Sequence, residues 1–309
     1  MTNLNGQLIT VLGGGGFLGR YVVQRLLARG ARVRIAQREP RAATFLKPLG
    51  GLGQTQFVAC DVRDAASVAR AVQGSDAVIN LAGAFGDMQA DGAGHVATAA
   101  KAAGVGALVH VSAIGADPAS ASAYGRSKGD GEAAVRASFA DAAILRPSIL
   151  FGREDHFINR FATMMRMTPV VPVIAPGAKF QPAYVGDVAD AVVAALGRDA
   201  AGKTFELGGP QVLTMGELLR WIADATGRSP LFVDVPDFVA SALATGFGWA
   251  PGAPITKDQW LMLQHDNVVA DSAAGLTQLG IAPTSLASVA DGWLVQYRRN
   301  GRFAELASR

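Results

Sequence analysis

The amino-acid sequence predicts an α/β fold, with a doubly wound parallel sheet followed by a smaller, mainly helical C-terminal domain. Three observations support this prediction. Short apolar runs alternate with amphipathic segments up to Pro147. A glycine-rich turn joins the first apolar run to the first helical pattern, and prolines cluster after Pro147, where the alternation ends. Strands separated by helices of this length imply right-handed crossovers and a parallel sheet.

The composition limits the classes of protein to which the chain can belong. Of its 309 residues, 50% are hydrophobic and 17% are charged, which excludes a disordered chain. The length suggests about two domains. The single Cys60 excludes a disulfide framework and a multi-cysteine metal site, and no metal is expected. The net charge of +3 comes from scattered basic residues and gives no argument for nucleic-acid binding.

Each strand of the N-terminal half is predicted from an apolar run, and each helix from the amphipathic segment that follows it. The expected strands are Leu8–Leu12, Arg32–Ala36, Gln56–Ala59, Ala77–Leu81, Ala107–Ser112 and Ala142–Leu145. The expected helices are Phe17–Arg29, Ala65–Val72, His95–Ala103 and Tyr124–Phe139. Nearly continuous apolar strands suit a sheet that helices cover on both faces. Residues 1–150 are therefore expected to form the first domain, and residues 151–309 a smaller domain for a substrate or a partner.

The second half begins with proline-marked loops. After them we expect a strand at Gln181–Val185, a helix from Asp187 to Leu196 and a strand at Thr204–Leu207, so that residues 181–207 return to the first domain. Thr214 and Glu217 have the spacing of a capping box at the start of the next helix. From Leu231 onward the tail is predicted to be mainly helical.

The turn after the first strand has the pattern of a phosphate cradle. Glycines recur at a three-residue spacing and a helix opens directly behind them, so the sequence predicts a Rossmann-type dinucleotide site at Gly13, Gly15, Gly16, Phe17, Leu18 and Gly19. Glycine permits the tight turn and the close approach of a pyrophosphate. The N–H groups and the dipole of the new helix then attract the anion.

The residues after the second strand indicate NADP(H) rather than NAD(H). Sites for NAD usually carry an acidic residue here for the ribose 2′-hydroxyl, whereas this strand ends in Gln37-Arg38. A guanidinium at Arg38 suits a 2′-phosphate. Two alternatives stay open: Arg38 is a solvated surface residue, or Glu39 supplies the carboxylate after a shift of one residue.

Two further strand ends are expected to face the nucleotide. Asp61 follows the third strand, where it can accept a hydrogen bond from an adenine amino group while Val62 packs on the ring. Asp61 can equally be the N-cap of the helix at Ala65. Leu81, Ala82 and Gly83 follow the fourth strand, at the edge where nucleotides bind to open parallel sheets.

Three polar residues form a candidate catalytic group. Ser112 ends the fifth strand, and Tyr124 and Lys128 lie one helical turn apart on one face. An ammonium near the phenol is expected to lower the pKa of Tyr124, as a general base requires. Ser112 is expected to orient a substrate oxygen. His110 falls within a strand, where a core role is more plausible than a ligand role.

These motifs together resemble the short-chain dehydrogenase/reductase superfamily, and within it the extended and atypical, epimerase-like branches. More narrowly, the chain resembles the NAD(P)H-binding accessory subunits of respiratory complex I. The segments that carry this resemblance are VLGGGGFLGRYVVQRL, FLKPLG, HVSAIGADPASASAYGRSKGDGEAAVR, ILRPSILFGREDHFINRF and FQPAYVGDVADAV. The resemblance implies a tightly held NADPH, with Lys128 on the ribose hydroxyls and Pro147 near the nicotinamide. It also implies a mainly structural role beside complex I subunits.

Some features depart from the family or leave alternatives open. Gly15 stands where the family has threonine, which implies a looser glycine loop. No transit peptide is evident, so a bacterial, cytoplasmic relative is expected, attached at most peripherally to the inner membrane through a complex. Pro147 can be a plain strand-terminating proline. Gln181, Tyr184 and Asp187 lie in a loop that the superfamily uses to close its site, although Asp187 can be only a helix N-cap.

The sequence leaves more than one function open. The first is an NADPH-holding subunit without established turnover. The second is a stand-alone NADPH-dependent oxidoreductase or epimerase, acting on a small carbonyl, sugar-like or quinone substrate through Ser112, Tyr124 and Lys128. A third is a nucleotide sensor without chemistry. For the enzyme, the expected apolar pocket lining is Phe157, Phe161, Met164, Met165 and Trp260.

Overall fold

The computed structural model describes residues 4–83, 88–246, 248, 255–299 and 301–303. The chain divides into two compact units. Unit 1 comprises Met1–Pro147, Val185–Leu207 and Val269–Ala282. Unit 2 comprises Ser148–Tyr184, Gly208–Val268 and Pro283–Arg309. The chain thus leaves unit 1 and returns to it twice.

The regular elements are numbered in chain order. The strands are β1 (Leu8–Leu12), β2 (Arg32–Gln37), β3 (Thr55–Ala59), β4 (Ala77–Asn80), β5 (Ala107–Val111), β6 (Ala143–Pro147), β7 (Leu150–Phe151), β8 (Val170–Ile174), β9 (Lys179–Phe180), β10 (Ala183–Tyr184), β11 (Thr204–Leu207), β12 (Leu213–Thr214) and β13 (Leu231–Val235). The α-helices are α1 (Phe17–Ala28), α2 (Ala65–Val72), α3 (Met88–Ala102), α4 (Ala123–Ser138), α5 (Ile158–Met167), α6 (Val185–Ala194), α7 (Met215–Ala225), α8 (Asp237–Gly246), α9 (Lys257–Met262), α10 (Leu286–Val289) and α11 (Asp291–Leu294).

Unit 1 is built on a seven-stranded sheet in the order β11-β6-β5-β4-β1-β2-β3. Every pairing in it is parallel. In β1, Val11 lies between Ile35 of β2 and Ile79 of β4, and all three side chains are buried. The chain reverses its direction across the sheet at β1, because β2 lies on one side and β4 on the other. Open α/β sheets bind ligands at such a switch point.

Helices cover both faces of this sheet. Right-handed crossovers place the helix after β1 on one face and the helices after β3, β4 and β5 on the other. Accordingly α1 packs with α6, while α2, α3 and α4 pack side by side. The second group shares a buried apolar cluster with the sheet, to which Leu12, Val78, Val96 and Val135 belong. The predicted doubly wound α/β fold is confirmed.

Unit 2 has its own core, formed mainly by α5, α7 and the C-terminal helices. Its fully buried side chains include Phe151, Ile158, Leu218 and Leu294. Helix α7 begins with the predicted capping box, because the Thr214 hydroxyl accepts from the Glu217 N–H and the Glu217 carboxylate accepts from the Thr214 N–H. The pairs β7–β10, β9–β12 and β8–β13 add three small two-stranded sheets.

The structure corrects the predicted elements at several places. The tail from Leu231 is not helical at its start, because β13 pairs in parallel with β8. Helix α6 begins at Val185, so Asp187 lies inside the first turn and is not the N-cap. Helix α5 and a 3₁₀ segment at Pro40–Leu49 were not predicted. That segment contains two prolines, Pro40 and Pro48, which have no backbone N–H to donate, so its sequence favours the prediction of a loop.

Two glycines of α4 allow the loop after β5 to close against this helix. A Cβ at Gly129 would lie 2.3 Å from the Pro118 nitrogen, and one at Gly125 would lie 2.4 Å from the Ser120 hydroxyl oxygen. Ser122 caps the helix by accepting a hydrogen bond from the Gly125 N–H at 2.8 Å. Helix α4 is therefore fixed at its N-terminal end, where Tyr124 and Lys128 lie.

We predict that Gly129→Ala destabilises the protein by about 2 kcal/mol, because the added methyl group would collide with backbone. Gly131→Ala in the same helix is the matched control. Its Cβ would lie 3.6 Å from the Ala93 Cβ, an ordinary contact, so this change should be neutral or stabilise by up to about 1 kcal/mol. Urea unfolding of both variants measures the difference, and equal unfolding free energies would contradict the close-packing argument.

Candidate functional site

The glycine loop after β1 is held on both sides by the neighbouring strands. Gly13 has a φ of +77°, in the left-handed region that favours glycine. Its N–H donates to the Ala36 carbonyl at 2.9 Å. A Cβ at Gly13 would lie 3.1 Å from the Leu81 carbonyl carbon and 3.2 Å from the Ala82 nitrogen. The structure therefore brings the predicted loop and the predicted end of β4 together.

The start of α1 lies directly against this turn. A Cβ at Gly19 would lie 2.5 Å from the Gly13 carbonyl oxygen, so only glycine permits the approach. The N-cap residue Gly16 has no side chain to cap the helix, and the first intrahelical bond runs from the Arg20 N–H to the Gly16 carbonyl. The N–H groups of Phe17 and Leu18 lie before that bond, in the first turn, where an α-helix provides no intrahelical acceptor. This uncapped N-terminus fits a pyrophosphate.

Gly15 is not a loose point of the loop. Its N–H donates to the Gln37 carboxamide oxygen at 3.0 Å. A Cβ at Gly15 would lie 2.3 Å from that oxygen. The expectation of a looser loop is therefore wrong, because Gln37 fills the space that a side chain at position 15 would take.

Arg38 and Asp61 come together at the carboxyl ends of β2 and β3. Both Asp61 carboxylate oxygens accept from the Arg63 guanidinium, and one also accepts from the Arg63 N–H at 3.0 Å. These bonds, with smaller contributions from the charges of Arg63 and Arg38, hold the pKa of Asp61 at about 2. The N-cap interpretation of Asp61 is wrong, since Asp64 caps α2 by accepting from Ala66. Sequence reasoning missed Arg63, although its spacing of two residues from Asp61 suits a local ion pair.

The ends of β3 and β4 form the apolar side of the site. Val62 and Ala82 both pack at the rim of the buried cluster under α2 and α3. The turn at Leu81–Gly83 is shaped by Asn80, whose side-chain oxygen accepts from the Ala82 N–H at 3.1 Å. The Asn80 amide nitrogen also lies 3.1 Å from His110 Nδ1. Burial lowers the pKa of His110 to about 3, so this histidine is a neutral core residue.

Ser112 follows β5 directly, one residue beyond the end of the strand, and Tyr124 and Lys128 lie on α4 as the sequence predicts. Ser112 is 3% exposed, and its hydroxyl has no hydrogen-bond partner among the described residues. The Lys128 ammonium lies 5.6 Å from the centre of the Tyr124 ring. Burial lowers the pKa of Lys128 to about 8, partly offset by Glu132. A buried hydroxyl that has no partner among the described residues fits a polar ligand such as a ribose.

The expected activation of Tyr124 is not present in this structure. Burial raises the pKa of Tyr124, in contrast to the predicted lowering by Lys128. The ammonium lies over the ring face, so it does not offset the cost of burying a phenolate. Tyr124 is therefore protonated at neutral pH and can donate a hydrogen bond.

An ion-pair network fixes the end of β6. Arg146 binds the buried Glu132 carboxylate with two bonds of 2.8 and 2.7 Å, and it lies 3.6 Å from Glu206. Pro147 ends β6, and its carbonyl accepts from the Ile114 N–H at 3.1 Å. Pro147 thus connects the end of β6 to the chain just after Ser112, and its place at the end of the strand fits both interpretations of this proline.

In unit 2, the residues expected to line an apolar pocket differ in exposure. Met165 is 3% exposed and belongs to the core of unit 2. Phe157, Phe161 and Met164 are half-buried at the edge of that core. The indole N–H of the half-buried Trp260 has no partner in the part of the chain described.

The other residues of the predicted closing loop are engaged in contacts inside unit 2. Gln181 donates to the Gly209 carbonyl at 2.8 Å. The Tyr184 ring lies 5.5 Å from that of Phe151.

The described residues contain no group of three or more His, Cys, Asp or Glu side chains placed to hold a metal ion. None of the helices that the structure describes is long and apolar enough to cross a membrane.

Comparison with known proteins agrees with this geometry. The sequence pattern of a protein family described as NAD(P)H-binding matches residues 13–199, from the glycine loop to the end of α6 and beyond. The chain belongs to this NAD(P)H-binding family. Its ligand is therefore a nicotinamide dinucleotide, and the predicted Rossmann-type, dehydrogenase/reductase-like character is confirmed.

Named relatives place the chain more narrowly within this NAD(P)H-binding family. It is 39% identical over 298 residues to the mitochondrial NADH dehydrogenase [ubiquinone] 1 alpha subcomplex subunit 9 of Rattus norvegicus, covering 92% of this chain and 79% of that protein. The predicted relationship to the complex I accessory subunit is thereby confirmed. The chain is also 30% identical over 240 residues to a ceramide reductase of Caulobacter vibrioides, covering 74% of each.

Solved structures of the NAD(P)H-binding type share the fold. An NADPH-dependent quinone oxidoreductase from Escherichia coli, crystallised with NADPH, superposes with a TM-score of 0.75 at 21% identity, over 91% of this chain and 97% of that one. A nucleoside-diphosphate-sugar epimerase from Staphylococcus aureus gives 0.74 at 16% identity, over 93% and 99%. At these identities the likeness concerns the fold alone.

We predict that the Kd for NADPH increases as the pH rises through about 8, because Lys128 then loses its proton and the charge-assisted bonds to the ribose. The binding form is the ammonium, which is fully present below that pH. Titrations between pH 7 and 9.5 avoid the ionisation of the 2′-phosphate. Lys128→Met should weaken binding at pH 7 about tenfold and remove the step, while Lys101→Met on α3 should change neither. A flat wild-type profile would contradict the role of Lys128.

Proposed function

We propose that this protein holds NADPH as an accessory subunit beside a complex I-type enzyme. The observation that carries this proposal is the 39% identity over 92% of the chain to a relative whose name makes it a subunit of NADH dehydrogenase. The protein would then lie at the cytoplasmic face of the inner membrane, attached through its partner subunits. Its cofactor would stabilise the folded subunit, since a ligand that binds only the native state adds to its stability.

The phosphate groups of the cofactor would be held at the carboxyl edge of the sheet. The loop from Gly13 to Gly19 offers N–H groups and the uncapped start of α1 to the pyrophosphate. Arg38 is exposed beside this loop and would pair with a 2′-phosphate. Its charge is only partly balanced by Asp61, which Arg63 already holds. This surplus of positive charge supports NADP(H) over NAD(H).

The remaining groups of the cofactor would contact the neighbouring strand ends. Val62 and Ala82 offer an apolar surface to the adenine ring, and Asp61 retains acceptor capacity beside it. The backbone of Leu81, Ala82 and Gly83 would line the path of the cofactor, and Pro147 the nicotinamide end. Lys128 and the protonated Tyr124 would donate hydrogen bonds to the nicotinamide ribose.

The state of Tyr124 favours holding over proton abstraction. A general base must lose its proton near neutral pH, whereas burial raises the pKa of this phenol. A protonated phenol and a buried ammonium are both hydrogen-bond donors. They suit ribose hydroxyl oxygens, which accept such bonds.

A second candidate function is the reduction of a carbonyl compound. It is favoured by the buried Ser112 hydroxyl, which has no partner within the described part of the chain, and by the similarity to a ceramide reductase. A bound dihydronicotinamide supplies a hydride to the carbonyl carbon. Tyr124 would donate its phenolic proton to the carbonyl oxygen and then regain a proton from water. Ser112 would orient the carbonyl oxygen of the substrate. The protonated state of Tyr124 suits this direction of the reaction.

For the cofactor preference, we predict that the wild-type protein binds NADPH more tightly than NADH and that Arg38→Ala weakens NADPH binding by tenfold or more. One lost charge-assisted contact accounts for a change of that size. NADH binding should stay unchanged. Arg32→Ala, at the opposite end of β2, is the control and should alter neither constant. An equal increase in the Kd of NADPH and of NADH would show that Arg38 does not bind the 2′-phosphate.

For the assembly, we predict that the protein co-migrates with NADH dehydrogenase activity in native gels of gently solubilised membranes. Tyr124→Phe keeps the ring beside Lys128 and should leave this co-migration intact. Migration alone, at the size of a monomer or dimer, would contradict the subunit function. In that case, loss of activity in Tyr124→Phe across a screen of carbonyl and quinone substrates would establish the reductase, and unchanged activity would eliminate it.

A further inference from the structure

The end of β2 is connected to the phosphate loop by one side chain. Gln37 is the last residue of β2, and its carboxamide oxygen accepts from the Gly15 N–H at 3.0 Å. Its carboxamide nitrogen donates to the Glu39 carbonyl at 2.7 Å. Both ends of the amide are thus engaged, so its orientation is fixed.

Position 15 and the Gln37 side chain share one small space. A Cβ at Gly15 would lie 2.3 Å from the Gln37 oxygen and 2.9 Å from the Ala43 Cβ. Neither distance is possible for real atoms, so a side chain at position 15 would displace the carboxamide. The carboxamide of Gln37, which extends from β2, therefore fills the space beside Gly15 that a side chain at position 15 would otherwise occupy.

The base of this connection is rigid. Gln37 pairs with Ala59 of β3, and its carbonyl accepts from the Cys60 N–H at 3.0 Å. One residue earlier, the Ala36 carbonyl accepts from the Gly13 N–H. The loop is therefore fastened to β2 at two points, by a backbone bond at Gly13 and by a side-chain bond at Gly15. A glycine-rich loop fixed in this way loses less conformational entropy when it binds a ligand.

We propose that Gln37 is a positioning residue of the phosphate loop, whose carboxamide holds the Gly15 N–H and so keeps the loop in the shape that receives the pyrophosphate of a nicotinamide dinucleotide. This inference depends on the proposed function in one respect only, which is the expected preference for NADPH over NADH. The pyrophosphate is common to NADPH and NADH. Loss of the hydrogen bond to Gly15 should therefore raise the Kd of both ligands by the same factor.

The neutrality of Gln37 has a separate consequence, because Arg38 follows it directly. A glutamate at position 37 keeps an oxygen acceptor for the Gly15 N–H but gives up the bond to the Glu39 carbonyl. It also places a negative charge one residue from Arg38. Such a charge disfavours a 2′-phosphate and favours a ribose 2′-hydroxyl. Gln37→Glu and Gln37→Met therefore separate the effect of charge from the effect of the acceptor.

The experiment measures the Kd of NADPH and of NADH for the wild-type protein, Gln37→Met, Gln37→Glu and the control Gln56→Met. Gln56 is a glutamine of the neighbouring strand β3, whose side chain binds Arg34 away from the loop. Gln37→Met should raise both Kd values about fivefold, the effect of one neutral hydrogen bond. Gln37→Glu should restore NADH binding towards the wild-type value and weaken NADPH binding about tenfold. Gln56→Met should match the wild type, and thermal unfolding of each free protein checks that it is folded.

Two results would overturn the inference about Gln37. One is wild-type binding of both ligands by Gln37→Met, and the other is an equal loss of NADH binding in the Met and Glu variants. A different result, a wild-type preference for NADH, would contradict the proposed cofactor preference. Even then, the Kd of NADH for Gln37→Met compared with that for Gln37→Glu would test the role of Gln37. Failure of the proposed cofactor preference and failure of the inference about Gln37 are therefore distinguishable.

Discussion

The structure of unit 1 depends on one close approach, that of helix α1 to the turn after β1. At Gly19 there is no room for a single methyl group, because a Cβ would lie 2.5 Å from the Gly13 carbonyl oxygen. This approach places the N-terminus of α1 at the switch point of the sheet, where it can attract an anion. It also fixes the rest of α1, which packs on α6 and whose Arg25 binds Asp190 at 3.1 Å. Binding and folding therefore depend on the same steric requirement.

Helix α4 imposes the second constraint, which is electrostatic. Its buried Glu132 is paired with Arg146, so this carboxylate is satisfied by hydrogen bonds and not only by the nearby Lys128. Lys128 is buried with a pKa of about 8, and its charge is therefore held at some cost in the free protein. A ligand that offers acceptor atoms to this ammonium would offset part of that cost.

The same side chains would serve both of the proposed functions. A subunit of NADH dehydrogenase and a ceramide reductase are both similar to this chain, over 92% and 74% of its length. Tyr124 and Lys128 can hold a ribose in either case, and Ser112 is the group that a holding role uses least. Burial raises the pKa of Tyr124, so its phenol keeps its proton at neutral pH and can donate it.

The sequence by itself determined the sheet and the phosphate loop. The inner strands of the sheet, such as β4, are apolar runs buried on both faces, and apolar runs located the ends of all seven strands within two residues. Glycine spacing located the turn after β1. Other features required the tertiary structure. Strand β13 pairs with β8, and Val269–Ala282 joins unit 1 where the Ala270 N–H donates to the Glu206 carboxylate. The Gln37 bond to Gly15 and the pKa of Tyr124 likewise depend on neighbours that a linear pattern does not record. Such contacts join residues far apart in the chain, and burial fixes their strength, so only the folded structure decides them.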